Sequence, residues 1–149
     1  MSYEINHKIG LKVAPEKLYE TLTDPKKLAQ WWTSDTRGNG TNVGGILEFW
    51  FGNFCQKFEV RTLEQGKLVR WKATQEGGMG EWAGTEITFR IWTDNIQTLL
   101  HFRHSDWKDS TDFLAHCSMK WATFLLSLKD LMEKGQGRPA PNDLSIDYN

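Results

Sequence analysis

Hydrophobic and polar residues alternate from Tyr3 to Val13, with Tyr3, Ile5, Ile9, Leu11 and Val13 on one parity and Glu4, Asn6, Lys8 and Lys12 on the other. That period of two predicts a half-buried strand. Ala14-Pro15 breaks it, and Pro15 suits the first turn of a helix whose apolar side is Leu18, Tyr19 and Leu22. Asp24-Pro25 starts a second short helix ending at Trp31-Trp32, and the polar, glycine-rich stretch from there to Gly45 reads as a loop.

Strand patterns then follow one another. Ile46 to Phe51 sets Leu47, Phe49 and Phe51 on one face, and Lys57 to Leu63 opposes Phe58 and Val60 to Lys57, Glu59 and Arg61. Glu64-Gln65-Gly66-Lys67 is a hairpin-type connection into Leu68 to Ala73, where Val69 and Trp71 share a face. Thr85 to Thr93 alternates Ile87, Phe89 and Ile91 with Glu86, Thr88 and Arg90, turns at Asp94-Asn95, and returns as Ile96 to His104. From Ser110 to Gly135 the period changes. Phe113, Cys117, Trp121, Phe124, Leu128 and Leu131 recur at three or four residues, the stripe of an amphipathic helix. Ser110, Thr111 and Asp112 offer N-cap oxygens, and Lys134 with Gly135 marks its end. The predicted class is α+β: an antiparallel sheet of about six strands, two short helices after strand one, and a long C-terminal helix packed across the sheet. Residues 1–135 form the predicted domain, and 136–149, with Pro139, Pro141 and no periodicity, a loosely held tail.

Composition narrows the chemistry. The 149 residues carry a formal net charge of −1, so no basic excess points to nucleic acid or an anionic membrane surface. No apolar run approaches the roughly 20 residues of a membrane span, and Met1 to Lys8 lacks a signal pattern; a cytoplasmic location is expected. Cys55 and Cys117 have no CxxC or metal-ligand spacing, and Cys117 on the helix stripe reads as a small core hydrophobe. Eight Trp and eight Phe require either a very aromatic core or a pocket. His7, His101 and His116 fall on separate elements with no metal-ligand spacing, so no metal is expected. Glu76 to Gly80 lacks the ending of a phosphate loop and no Ser-His-Asp arrangement is visible, so no cofactor is implied. Arg70, Arg90 and Arg103 fall on the solvated parity of the sheet.

Several phrases in sequence resemble one family. Lys12-Val13-Ala14-Pro15-Glu16-Lys17-Leu18-Tyr19, then Leu22-Thr23-Asp24-Pro25-Lys26-Lys27-Leu28 running into Trp31-Trp32, is similar to the opening of SRPBCC (START-like, helix-grip) domains of the AHSA type, named after activators of the heat-shock chaperone ATPase. Gly44-Gly45, Leu68-Val69-Arg70-Trp71, Gly84 to Phe89, Thr98 to Trp107 and Lys120-Trp121 resemble its later landmarks, so that residues 3 to 134 are covered. The resemblance implies a cavity between sheet and helix that in relatives holds apolar molecules. Its walls would be Phe49, Phe51, Phe58, Trp71, Phe89, Ile91, Phe102, His104, Trp121 and Phe124, with Trp31 and Trp32 at one mouth. Two departures stand out: the connection Thr74 to Ala83, where Met79 and Trp82 either form a lid or cap the core, and Lys120 where many relatives carry glycine.

Three functions are compatible with this reading. The first is a carrier or sensor that encloses a small hydrophobic or aromatic molecule, with His104 fixing its orientation. The second is a protein-interaction module, with a chaperone-like protein partner held by the Trp31-Trp32 region or by Trp50, Trp92 and Leu99 on the outer sheet face. The third is a cyclase or hydratase using His104 as acid or base, for which no second catalytic group is found.

Overall fold

The computed structural model describes residues 2–74 and 80–146. Strand β1 (Tyr3–Leu11) is followed by α1 (Pro15–Thr23) and α2 (Pro25–Leu28). Then come β2 (Asp35–Gly38), β3 (Ile46–Phe51), β4 (Phe54–Glu64), β5 (Leu68–Ala73), β6 (Glu86–Thr93), β7 (Thr98–Trp107) and the long helix α3 (Asp112–Lys134). All seven strands form one antiparallel sheet in the order β1-β7-β6-β5-β4-β3-β2. The α+β class, the two short helices after β1 and the helix across the sheet are as the patterning predicts. The strand count is not, because residues expected to form a loop contain β2. It is an edge strand of four residues whose polar side chains give no alternation to read; Arg37 pairs with Asp35 (2.8 Å) and lies 4.7 Å from the Trp50 ring.

Helix α3 begins where the hydroxyl of Thr111 accepts from the Leu114 N–H (3.1 Å) and ends at Gly135, whose φ of 84° suits a residue without Cβ. Near its C-terminus, Lys129 Nζ donates to Gly10 O (2.7 Å) and Glu133 accepts from the Lys12 N–H (2.8 Å), which ties the helix to β1. The apolar face of the sheet and the stripe of α3 meet over a core of rings. Phe49, Phe58, Trp71, Phe89 and Phe102 are fully buried. At its centre stands Trp32, delivered by the end of α2, with ring centroids 4.1 Å from Phe49 and 4.7 Å from Trp121, and parallel within 4° to Trp71 at 6.4 Å. Trp31 packs edge-on against Phe89 and donates its indole N–H to Thr21 O (3.2 Å). The space between helix and sheet is therefore largely filled by side chains from within.

Two strands carry an extra residue. β4 shifts register between Val60 and Thr62, and β7 pairs His104 with Ile5 but Trp107 with Tyr3. The second bulge centres on Asp106 at φ 68°, a left-handed conformation that Asp tolerates better than most residues. It returns Trp107 to the inner face, 5.0 Å from His104.

The segment after Gly135 makes defined contacts with the domain as far as Leu144. Ala140 exchanges backbone hydrogen bonds with the Trp32–Ser34 segment: its N–H donates to Trp32 O (2.7 Å) and its O accepts from the Ser34 N–H (3.0 Å). The Arg138 N–H donates to Ser127 Oγ (2.7 Å), and a Cβ on Gly137 would come within 2.5 Å of Gln30 O. Periodicity cannot reveal such a segment, because it pairs as an irregular strap rather than as a helix or strand.

Replacing Trp32 by Ala removes the ring that touches both layers and should cost about 3–5 kcal/mol. Urea unfolding followed by circular dichroism measures it, and a loss below about 1 kcal/mol would show that the layers close without it.

Candidate functional site

Where the end of β3, the turn at Gly80–Trp82, the first half of α3 and the C-terminal strap come together, the packing leaves a cleft of about 450 Å³. Trp32, Phe51, Trp82, Cys117, Trp121 and Phe124 give it apolar walls, and Ala140 of the strap closes one side. Its polar lining is His116, Lys120 and Asp143. The volume falls within the range of small-molecule sites, which combine apolar walls with a few convergent polar groups. A larger depression of about 690 Å³ is lined by Pro15, Glu16, Glu64–Leu68 and Arg90–Thr93, a mix of charged side chains, the β4–β5 turn and the apolar Leu68, Ile91 and Trp92.

Of the cavity residues expected from the sequence, Phe51, Trp121 and Phe124 line the cleft. Phe49, Phe58, Trp71, Phe89 and Phe102 lie in the closed aromatic core, Ile91 is buried but borders the larger depression, and Trp31 is fully buried rather than at a mouth. Trp32 does reach the cleft. Trp82 caps the core: it is 4% exposed, stacks 5.9 Å from Trp121 and meets His104 edge-on at 4.8 Å. Met79 lies outside the described residues.

His104 is also outside the cleft, and its bonding explains why. The Trp121 indole N–H donates to Nδ1 (3.1 Å), so Nε2 carries the proton and donates to Thr85 Oγ1 (2.8 Å), whose hydroxyl donates to Trp82 O (2.7 Å). Both ring nitrogens are occupied and the residue is fully buried. Burial pushes its pKa down to about 3, so the neutral ring is the stable form. A histidine so placed ties α3 to β7 and to the Gly80–Trp82 turn.

The cleft's remaining groups were less visible. Cys117 was read as core, and it does pack there; burial raises its thiol to about 12, far from a reactive thiolate. Lys120 neither crowds the sheet nor points to water. Its ammonium pairs with Asp143, donates to Leu144 O (3.1 Å), and lies 5.6 Å from the Phe124 ring. Burial, and secondarily Lys120, lower the pKa of His116. The Trp82 indole N–H is buried; it contacts the Cys117 sulfur, a weak acceptor, and has no oxygen or nitrogen acceptor among the described residues. The Lys120–Asp143 contact had no sequence signal, because its partners come from a helix and from an aperiodic strap. Among the described residues no group of His, Cys, Asp and Glu side chains could hold a metal ion, and no helix is long and apolar enough to cross a membrane.

Because His104 is neutral in the fold and binds a proton near pH 6.5 when unfolded, its contribution is complete above about pH 6.5 and is lost as pH falls toward 3. Urea denaturation between pH 7 and 4 should therefore show a loss that approaches about 1.4 kcal/mol per pH unit from this group. A His104→Gln variant should show a correspondingly shallower slope, and identical slopes would refute the assignment.

The comparisons with known proteins agree with this architecture. The family model described as Activator of Hsp90 ATPase homolog 1-like protein matches residues 12–133. A solution structure of the Aha1 dimer from Colwellia psychrerythraea is 44% identical, with a TM-score of 0.83, and the match covers 91% of this chain and 99% of that one. Protein MLL2253 from Mesorhizobium loti is 18% identical over 89% of this chain and 98% of its own, with a TM-score of 0.77. DynU16, a putative protein in the dynemicin biosynthetic locus, is 17% identical at a TM-score of 0.74, over 90% of this chain and 48% of its own. The last two likenesses bear on the fold alone. No curated protein matches the chain. With the matched region running from the end of β1 almost to the end of α3, and with a solved relative of this identity, the chain belongs to the Activator of Hsp90 ATPase homolog 1-like family of SRPBCC-type helix-grip domains.

Proposed function

We propose that this chain is a cytosolic, non-enzymatic carrier or sensor for a small hydrophobic or aromatic molecule, bound in the cleft between α3, the end of β3 and the C-terminal strap. The observation that carries this reading is the cleft itself: about 450 Å³ walled by five aromatic rings, beside an interior otherwise close-packed. Burying apolar ligand surface there supplies affinity at roughly 25 cal/mol per Å² before the costs of association. The Trp82 N–H, which has no oxygen or nitrogen acceptor among the described residues, offers a ligand oxygen a donor now met only by the weakly accepting Cys117 sulfur. The enzymatic alternative loses its motivation, because His104 is sealed in the core with both nitrogens engaged.

A second reading, self-association, has its own observation. Met119 and Leu126, 58% and 55% exposed, lie seven residues apart on α3 with Ala115 and Ala122 between or beside them on the same stripe, facing away from the sheet. A relative 44% identical was solved as a dimer, and a second copy of this chain is the occupant that stripe suits. The outer sheet face is a poorer candidate: Trp50 and Trp92 are separated by β4 and β5, and each ring is covered by a cation, Arg37 and Lys8.

Titration with a panel of apolar compounds, followed by tryptophan fluorescence and calorimetry, tests the first reading. Saturable binding is expected in the wild type and should be lost in Cys117→Phe, which fills the cleft from α3, while circular dichroism shows the variant still folded; binding that survives the filled cleft would place the ligand elsewhere. For the second reading, light scattering should give a dimer mass that falls to the monomer in Met119→Lys/Leu126→Lys. A monomeric wild type would dismiss it.

A further inference from the structure

The cleft holds one cation and one anion, and they come from parts of the chain with very different footing. Lys120 is rooted in the middle of α3, adjacent to Trp121, whose ring is locked against Phe102 (4.4 Å) and Trp32 (4.7 Å). Asp143 sits on the strap, which has no helix or strand of its own among the described residues and whose contacts include the Ala140 backbone pair, the Arg138–Ser127 bond and Lys120 itself. Both side chains are largely withdrawn from water, at 14% and 10% exposure. A charge so placed is costly to leave without its partner.

Resting on the carrier reading above, we infer that the ligand is an apolar monocarboxylate whose carboxylate replaces Asp143 at Lys120 and releases the strap from Ala140 onward. The exchange conserves charge inside the cleft. Lys120 trades one carboxylate for another, keeping a charge-assisted hydrogen bond, while Asp143 moves into water where its charge is fully solvated. A neutral ligand of the same shape has nothing to offer Lys120 if it displaces Asp143, and so must share the cleft with the strap. A cationic ligand would compete with the Lys120 ammonium for Asp143 and leave one of the two cations without a counterion. His116, the other titratable group facing the cleft, is held toward its neutral form and does not compete for the anion. The strap thus acts as an internal stand-in for the ligand's head group, and its release is the signal that the cleft is full.

Matched pairs of an apolar carboxylate and its amide, from 4-phenylbutyrate to dodecanoate, test this by calorimetry on the full chain. The carboxylate should bind at least about tenfold more tightly than its amide. Lys120→Met should abolish that preference while leaving amide binding in place, Lys120→Arg should retain it, and Asp143→Asn should tighten carboxylate binding several-fold with no gain for the amide. Hydrogen exchange at the Ser34 and Ala140 amides should speed up with the carboxylate and not with the amide. Equal binding of acid and amide, or a preference that survives Lys120→Met, overturns this inference and leaves the carrier reading standing. If no member of any pair binds, both fall.

Discussion

Everything in this fold is arranged around Trp32. A helix laid across a sheet leaves a wedge of space too wide for aliphatic side chains alone, and an indole delivered from the α2–β2 connection fills it, touching β3, β4, β5 and α3 at once. This is why α2, though only four residues long, matters structurally: its Asp24 cap, which accepts from the Lys26 N–H at 2.9 Å, sets the path that carries Trp31 and Trp32 inward. The same ring decides where ligand space can exist. With the centre of the interface occupied, open volume is pushed to the N-terminal half of α3, where the C-terminal strap covers it.

The buried polar chain through His104 complements the ring packing. Aromatic contacts are only weakly directional, so they permit small slides of one layer past another, whereas Trp121–His104–Thr85–Trp82 allows one register and one tautomer. Its satisfaction is nearly complete, in contrast to the buried Trp71, Trp82 and Trp107 indole N–H groups, which have no oxygen or nitrogen acceptor among the described residues. Of these, Trp82 alone borders the cleft.

Much of the architecture was legible in the sequence because it rests on periodicity. The inward parity of Phe58, Trp71, Phe89 and Phe102 and the stripe through Cys117, Trp121, Phe124 and Leu128 placed the core correctly. What periodicity cannot carry is which inward residues border empty space: Phe49 and Phe51 share a parity, and only the filling of the wedge by Trp32 separates them into core and cleft wall. Strand β2 was hidden because an edge strand of polar residues has no hydrophobic face. The inward turn of Trp107 was hidden by a bulge at Asp106, which advances the parity by one without a glycine to announce it. The Lys120–Asp143 pair joins residues 23 apart across an aperiodic segment, a relation that a single chain's spacing does not encode.

The crowding of indoles has an optical consequence. Trp31, Trp32, Trp71, Trp82 and Trp121 are linked through Trp32 by centroid separations of 4.7 to 6.4 Å. At such spacings, excitation absorbed by one ring migrates among its neighbours before it is emitted, so these five behave as one antenna rather than five reporters. Light collected deep in the core drains toward whichever ring lies lowest in energy. Trp32, Trp82 and Trp121 border the cleft, so a change of polarity or a quencher there darkens emission gathered by rings that never touch the visitor.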